Sequence, residues 1–325
     1  MERLSDLRAN LRDVQDTEFV GGVYPRRQLS ILASPPGLGK TWITIRQCMD
    51  IASGSLMFGG SIKDAPQKAV LFCGESGVSI IAERLRCMDY DLGTLPSGFV
   101  VYTHNDFVKH HVDICLDHPD GMSNFQKIVE GEKPSLVFID TLISFRDVDE
   151  SAVQETAKLL GSLRALADKV NCAIVVNHHT RKRKLRDRYT EGTQDEIIGT
   201  SAFSRLCALA MMLSDTTQER TIRYHCVKSW FEKPDDFYFR IDSDVYGQVR
   251  LVQCDTLRFS DARREVRRYV EGLHQGDMID SVQVATTYRV GRYLARRILA
   301  SLADEGLIQE SRMMGDARTK VFLRV

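Results

Sequence analysis

One stretch decides the fold of this chain: Ser34-Pro35-Pro36-Gly37-Leu38-Gly39-Lys40-Thr41. It follows an apolar run, 28–33, that has the composition of a short buried strand. It precedes a segment, 42–51, whose apolar residues recur at helical spacing. A strand, a small-residue loop and a helix are the context in which the pattern G-x-x-x-x-G-K-[ST] forms a phosphate-binding loop. The first glycine of the pattern is Ser34 here, which is small enough to keep the turn. The stretch therefore predicts a nucleoside triphosphate site.

The residue types of this loop suit phosphate binding. Gly37 and Gly39 allow backbone N–H groups to turn toward phosphate oxygens, and the start of the following helix adds a partial positive charge. Lys40 is expected to reach the β- and γ-phosphates, and the Thr41 hydroxyl to ligate Mg²⁺. ATP and Mg²⁺ are therefore the expected ligands. The residues expected to hold the nucleotide are Ser34, Pro35, Pro36, Gly37, Leu38, Gly39, Lys40, Thr41 and Trp42.

The composition is ordinary for a soluble globular protein, with 43% hydrophobic and 27% charged residues in a chain of 325. The net charge is zero, so any nucleic-acid site has to be a local patch. Eight cysteines are scattered without a C-x-x-C pair, which indicates reduced thiols. The sequence shows no signal peptide and no apolar run of membrane-spanning length. We therefore expect a cytoplasmic protein that acts away from membranes.

One stretch is crowded with potential metal ligands, namely His104, His110, His111, Cys115 and His118. These residue types invite a metal-site interpretation. Their spacing matches no familiar ligand pattern, so the sequence favours a polar surface insertion.

The order of predicted elements indicates an α/β fold. Apolar strands at 28–33, 69–73, 99–102, 136–140 and 172–176 alternate with helices at 42–51, 79–88, 123–129 and 150–170. This alternation predicts a mostly parallel sheet covered by helices on both faces. Strands linked by turns follow at 206–213, 221–227, 237–241 and 248–252, and they predict an antiparallel extension of the same sheet.

Three regions are expected along the chain. Residues 1–17 have helical apolar spacing and form an N-terminal arm, which packs on its own core or on a neighbouring subunit. Residues 18–255 form the α/β domain. Residues 258–325 contain two helices, at 262–273 and 292–303, a shorter helical segment at 282–287 and a final hairpin, which predict a winged-helix domain.

Polar side chains close three of the apolar strands. Asp140 ends one strand beside the phosphate-binding loop, where a carboxylate orients Mg²⁺. Glu75 follows a neighbouring strand and has the reach to orient or deprotonate an attacking water. Asn177, His178 and His179 end the fifth strand, where a polar group could sense the γ-phosphate or simply be satisfied by backbone groups.

These features together resemble the RecA-like ATPases. The resemblance covers residues 18–253 and rests on the loop, on Glu75, on Asp140, and on the segments Val175-Val176-Asn177-His178-His179-Thr180 and Gly199-Thr200-Ser201-Ala202. Within that family the chain is most similar to the hexameric helicases of the plasmid RepA type, whose corresponding strand also ends in a His-His-Thr-like triplet.

The resemblance also implies roles for single residues. It implies Glu75 as catalytic base, Asp140 as the Walker B residue that holds Mg²⁺, and His178 or His179 as sensor. It further implies that Lys228 reaches the nucleotide of a neighbouring subunit. The recombinase branch has a second basic residue where this chain has Trp230, and Lys233 or Arg223 is the available substitute.

Two basic regions are candidates for nucleic acid. The first follows the fifth strand directly and comprises Arg181, Lys182, Arg183, Lys184, Arg186 and Arg188. In RecA-like proteins the corresponding loop faces the central axis and grips single-stranded DNA, whereas a run of charge is also typical of a solvated face. The second region includes Arg292 and Arg296 on the presumed recognition helix, which suits either duplex DNA or a protein partner.

The sequence thus predicts an ATP hydrolase that acts as a ring-forming, hexameric DNA helicase in the replication of a plasmid or mobile element. Two alternatives stay open at this point. One is a DNA-binding ATPase that regulates or loads other proteins without unwinding. The other is a recombinase-like filament former, against which the missing N-terminal polymerisation domain and Trp230 both argue.

Overall fold

The computed structural model describes residues 18–54, 66–148, 152–180, 197, 201–215, 221–231, 233–234, 236–243, 249–254, 259–288, 292–313 and 316–325. Most of them belong to a domain built on one nine-stranded sheet. Two short strands, β1 (Phe19–Val20) and β2 (Tyr24–Pro25), form a separate antiparallel pair that leads into it.

The central sheet has the order β11-β10-β9-β8-β3-β7-β6-β4-β5. Its strands are β3 (Leu29–Ser34), β4 (Ala69–Cys73), β5 (Phe99–Thr103), β6 (Leu136–Asp140), β7 (Ala173–His179), β8 (Leu209–Asp215), β9 (Thr221–Ser229), β10 (Phe237–Ser243) and β11 (Val249–Cys254). The strands from β3 to β8 pair in parallel, and β9 to β11 extend the sheet with antiparallel pairing. The predicted mostly parallel sheet with an antiparallel extension is confirmed.

Apolar side chains cover both faces of this sheet, which explains why its strands read as continuous apolar runs. The helices of the domain are α1 (Lys40–Ala52), α2 (Val78–Cys87), α3 (His104–Lys109), α4 (Pro119–Glu132), α5 (Val153–Val170) and α6 (Ser201–Leu206). One core contains buried residues of α1 and α2, such as Ile43 and Leu85. The other contains buried residues of α3 to α6, such as Phe125, Leu163 and Phe203.

The C-terminal residues form a smaller unit with its own core. It contains α7 (Phe259–Glu271), β12 (Met278–Ile279), α8 (Ser281–Tyr288), α9 (Arg292–Asp304), β13 (Ile308–Met313) and β14 (Asp316–Arg324). The strands pair in the order β12-β14-β13, and the helices pack over them through residues such as Val266, Val284 and Leu299.

Residues 177–179 end β7, where His179 pairs with Ser34 of β3. The structure corrects the prediction at two places. The segment near Leu206 is the end of α6, and the strand begins only at Leu209. Helix α3 was not expected from the sequence; its start is stabilised by the Asp106 carboxylate, which accepts hydrogen bonds from the N–H and the hydroxyl of Thr103.

Two predicted regions lie outside the described residues. They are the N-terminal arm, 1–17, and the basic run, 181–188. Among the helices that the structure describes, none is both long and apolar enough to cross a membrane. The seven cysteines whose side chains are described are all free thiols.

Candidate nucleotide site

The phosphate-binding loop connects β3 to α1 at the carboxyl edge of the parallel strands. Gly37 and Gly39 have φ angles of 77° and 88°, which L side chains rarely adopt, so glycine is favoured at both. A Cβ atom at Gly37 would meet nothing within 4 Å, so the loop is open on this side. A Cβ atom at Gly39 would lie 2.8 Å from Ile241 Cδ1, which shows that strand β10 packs directly on the loop.

Lys40 is the first residue of α1, and its side chain folds back over the loop. Its Nζ atom donates to Ser34 Oγ at 3.0 Å and lies 3.2 Å from His179 Nδ1. Burial lowers the pKa of Lys40, and the negative charges of Asp140 and Glu75 partly oppose this shift. The serine that replaces the first glycine of the pattern therefore supplies an acceptor for the lysine, in addition to preserving the turn.

Asp140 ends β6 and is fully buried beside the loop. Its Oδ1 atom accepts a hydrogen bond of 2.8 Å from Asn177 Nδ2, which also donates to Thr44 Oγ1 of α1. Burial raises the pKa of the Asp140 carboxyl, whereas Asn177 and the nearby Thr41 hydroxyl lower it. The second oxygen, Oδ2, is buried, and no described residue offers it a hydrogen-bond partner.

A divalent cation fits this group of atoms. A buried carboxylate oxygen without a partner carries a high desolvation cost, which a cation or a cation-bound water removes. Thr41 lies close enough for its hydroxyl to affect the same carboxylate. Thr41 and Asp140 are the residues expected to hold Mg²⁺, through oxygen ligands of the kind this ion prefers.

Glu75 follows β4 and leans toward the turn that follows Asp140. Its Oε1 atom accepts a hydrogen bond of 2.8 Å from Thr141 Oγ1, and its side chain is 44% exposed. The segment after β4 packs tightly on the turn that follows Asp140, since a Cβ atom at Gly74 would overlap Ser144 Cβ. The carboxylate is thus accessible to water yet held in one place.

The adjacent histidines of β7 lie on opposite faces of the sheet, as successive strand residues do. His179 is in the site, with Nδ1 near Lys40 and Nε2 3.6 Å from Glu75 Oε1. Burial and the charge of Lys40 lower its pKa, against Glu75 and Asp140, so the neutral ring is favoured. His178 is buried on the opposite face, where its ring stacks on Phe203 with centroids 4.4 Å apart. Of the two sensor candidates, the structure brings only His179 to the loop.

Two further candidates, Lys228 and Trp42, contact other groups. Lys228 is near the end of β9, level with the amino-terminal half of β3, and its Nζ atom donates to the Cys207 carbonyl at 2.6 Å. The same atom lies 5.0 Å from the Trp230 ring centroid, as does the guanidinium carbon of Arg164. Trp42 of α1 is covered by Arg84 at 5.7 Å.

Of the two candidate nucleic-acid regions, the structure describes only the second. The run comprising Arg181, Lys182, Arg183, Lys184, Arg186 and Arg188 is outside the described residues. Arg292 and Arg296 lie on α9, and the Arg296 side chain is exposed.

Comparison with known proteins shows the family and the fold of this chain. The AAA domain family AAA_25 matches residues 3–184, more than half of the chain. The chain belongs to this family. The fold is that of the RecA-like P-loop ATPases. One similar solved structure is described as an ATPase domain, with a TM-score of 0.52 and 10% identity over 78% of this chain and 97% of that one.

Two further solved structures are similar. One is a DnaB-like replicative helicase, described with its interactions with primase, with a TM-score of 0.54 and 10% identity over 77% of this chain and 67% of that one. The other is the RadB recombinase, with a TM-score of 0.47 and 17% identity over 70% of this chain and 92% of that one.

Sequence reasoning missed Thr141 and left the role of Asn177 open. Thr141 has no strand-end pattern of its own, although its position directly after Asp140 was a usable signal. Asn177 was noted as one of three polar residues at a strand end, but its link between Thr44 and Asp140 depends on the pairing of β7 with β3 and on the position of α1.

Proposed function

We propose that this protein is a Mg²⁺-dependent ATPase that acts on single-stranded DNA as a ring-forming helicase. The observation that carries the proposal is the convergence of Lys40, Asp140 and Glu75 at one edge of the sheet, with His179 between the lysine and the glutamate. A cation for phosphates, a buried carboxylate for a metal and an accessible carboxylate for water are the groups that phosphoryl transfer to water requires.

In this mechanism Glu75 orients the attacking water and accepts its proton. The Thr141 hydroxyl keeps the carboxylate in place through the bond to Oε1. Lys40 contacts the β- and γ-phosphates once they replace Ser34 and His179 as its partners. Thr41 and Asp140 would hold Mg²⁺, which would supply positive charge against the phosphate oxygens. The burial around Lys40 strengthens every charge interaction in the site.

His179 is suited to sense the γ-phosphate. In its neutral form, Nδ1 accepts from the Lys40 ammonium, so the ring proton lies on Nε2, the atom that faces Glu75. When the Lys40 side chain moves toward a phosphate, it releases His179 Nδ1. The ring therefore connects occupancy of the phosphate site to the position of the catalytic carboxylate.

The proposed DNA loop starts from this same strand. Thr180 follows His179, its N–H donates to the Ser34 carbonyl at 3.0 Å, and it pairs with Ile197 in an isolated antiparallel bridge. The bridge brings Thr180 and Ile197 together, and the hydrogen bond to Ser34 places Thr180 beside the phosphate-binding loop. Only Thr180 separates His179, the proposed sensor of the γ-phosphate, from Arg181, the first residue of the basic run.

The C-terminal unit supports a second candidate function. Its order of helices and strands is that of a winged helix, which we propose as its fold. Three arginines of α7 are paired with carboxylates within the unit: Arg263 with Glu305, Arg267 with Glu271 and Arg268 with Glu265. Such pairing lowers the positive field available to DNA phosphates. A protein partner, and with it a regulator or loader without unwinding activity, is the alternative that this observation favours.

One experiment separates the two functions. Displacement of a labelled strand from a forked duplex is measured together with ATP hydrolysis, with and without single-stranded DNA, and with particle mass with and without ATP. The matched control carries Arg181→Ala, Lys182→Ala, Arg183→Ala and Lys184→Ala. The helicase predicts strand displacement by a hexamer-sized particle and its loss in the control, with a weaker salt dependence of DNA binding. DNA-stimulated hydrolysis without displacement would establish the regulator.

A further inference from the structure

A second site lies away from the phosphate-binding loop, where the segment before α4 meets the segment that follows the 3-10 turn Leu142–Phe145. Cys115, His118 and Asp147 each offer one ligand atom here, and these atoms all lie within 4.8 Å of one another. His118 Nε2 is already 3.0 Å from Asp147 Oδ2. A zinc ion binds sulfur at about 2.3 Å and nitrogen or oxygen at about 2.0 to 2.2 Å, so small side-chain rotations bring all three to one ion.

The surroundings of His118 match those of a metal ligand. Its second ring nitrogen, Nδ1, is 3.0 Å from Asp113 Oδ2. A histidine ligand usually donates its other ring N–H to a carboxylate, which fixes the tautomer and the orientation of the ring. Asp113 is itself fixed, because its Oδ1 atom accepts a hydrogen bond of 2.8 Å from the Cys115 N–H.

The two segments that carry the ligands are joined rigidly. The Leu116 N–H donates to the Phe145 carbonyl at 2.8 Å. The Asp117 carboxylate pairs with the buried Arg146 guanidinium and accepts hydrogen bonds from the N–H groups of Asp147 and Val148. The ligand set is therefore preorganised, while the side chains of His118 and Asp147 are 49% and 67% exposed and open to an incoming ion.

We propose that Cys115, His118 and Asp147 form a zinc site in which Asp113 orients His118. A thiolate, an imidazole and a carboxylate are the ligand types that Zn²⁺ combines, and three protein ligands leave the fourth position for water. The ion would join the segment that follows Asp140 and Thr141 to the loop before α4. The site shares no ligand with the proposed Mg²⁺ site.

One other account exists for the same contacts. A protonated His118 between two carboxylates needs no metal, and Asp113 and Asp147 do raise the pKa of this histidine. The account without metal gives the Cys115 thiol no role, so Cys115 distinguishes the two.

The test measures Zn²⁺ bound by the full chain against a competing chelator, and the absorption of the Co²⁺-loaded protein. We expect one equivalent of Zn²⁺ that is lost in Cys115→Ser and kept in Cys87→Ser, a control cysteine that ends α2. A thiolate-to-cobalt band should disappear in the first variant only. Asp113→Asn should lower zinc affinity about 10- to 100-fold, and His110→Ala should leave it unchanged.

Folding of each variant is checked by its unfolding temperature in chelator, and His118→Gln repeats the test if Cys115→Ser is unstable. Equal zinc stoichiometry in wild type, Cys115→Ser and His118→Gln, or a wild type that holds no zinc against the chelator, overturns the proposal. Lys40→Ala should bind zinc as the wild type does, so the result is independent of the proposed ATPase function.

Discussion

The two ends of the central sheet differ in how their polar side chains are arranged. At the carboxyl end of the parallel strands, His179 lies 3.2 Å from Lys40 and 3.6 Å from Glu75, and the charge of Asp140 acts on Lys40. At the amino end, Lys228 is held by a backbone carbonyl and lies against Trp230, which Arg164 also covers. One end gathers acids, bases and a phosphate loop, whereas the other gathers cations on an aromatic ring.

This difference indicates which groups can serve one active site. We propose that the groups at the carboxyl end act on the same nucleotide, because hydrogen bonds and charge interactions link them. Lys228 donates to the Cys207 carbonyl, which precedes β8 at the end of the sheet opposite the loop, so we expect a catalytic role to require the loop of a second chain. A head-to-tail contact that repeats with rotation closes into a ring, which is the assembly we propose. The following variants test each end, from the largest expected effect to the smallest.

Lys40→Ala should abolish nucleotide binding, because the phosphates lose the cation that the loop positions. Binding of ATP is measured by calorimetry on the full chain. Lys169→Ala is the matched control, since this lysine is exposed and pairs with Glu130, a contact worth at most about 1 kcal/mol. If Lys40→Ala binds ATP with wild-type affinity, the loop is not the nucleotide site.

Glu75→Gln should bind ATP normally and hydrolyse it about 100-fold more slowly, the loss typical of removing a general base. Glutamine keeps the acceptor for Thr141 but cannot take a proton. Steady-state phosphate release and ATP binding are measured on the same preparation. Wild-type turnover in this variant would remove Glu75 from the mechanism.

Lys228→Ala tests the opposite end, and it should bind ATP yet hydrolyse it at least about tenfold more slowly, in line with the loss of a trans-acting cation. A mixture with Glu75→Gln protein should regain activity, because some interfaces then combine an intact loop site with an intact lysine. Specific activity should also rise with protein concentration.

The mixture is also the control for folding. Lys228→Ala removes the hydrogen bond to Cys207 within its own chain, and a merely destabilised subunit would not be rescued by a partner that lacks Glu75. Absence of rescue, together with a monomer of undiminished specific activity on dilution, would contradict the ring.

The carboxyl end of the sheet could be predicted well from the sequence, and the amino end could not. The loop residues, Glu75 and Asp140 each follow an apolar strand, and parallel strands place such residues at one edge. The same strand logic placed His178 and His179 together, but alternation along β7 separates them onto two faces.

Contacts between distant segments account for the rest. The hydrogen bond from Thr141 to Glu75 forms where Gly74 packs against Ser144. No sequence pattern indicates either the hydrogen bond or this packing. Cys115, His118 and Asp147 come from two segments of the chain. The hydrogen bond between Asp147 and Asp117 joins these segments across 30 positions of sequence. The spacing of ligands within one stretch therefore could not predict this group.

Thr141→Val should lower hydrolysis about fivefold without changing ATP affinity, because Glu75 loses a hydrogen bond worth about 1 kcal/mol and samples other positions. Ser144→Ala is the control, since its hydroxyl is 3.3 Å from Thr141 Oγ1 and belongs to the same turn. Single-turnover hydrolysis separates the chemical step from product release. A wild-type rate in Thr141→Val would show that the packing around Gly74 alone positions the glutamate.

The smallest effect concerns His179 and the pH dependence of stability. Its pKa is lowered from the ordinary 6.5 by burial and by Lys40, so between 6.5 and the lower folded value the unfolded chain binds more protons. The free energy of unfolding should therefore fall as the pH decreases below about 6.5, and level off below the folded pKa. His179→Gln retains an acceptor for Lys40 but cannot be protonated, so its stability should lack this component. Urea unfolding of both proteins, and of the control His110→Gln, is compared from about pH 7.5 to about pH 5.5. A difference between wild type and His179→Gln that stays constant over this range would mean that the histidine titrates normally, and that it is not held between the lysine and the glutamate.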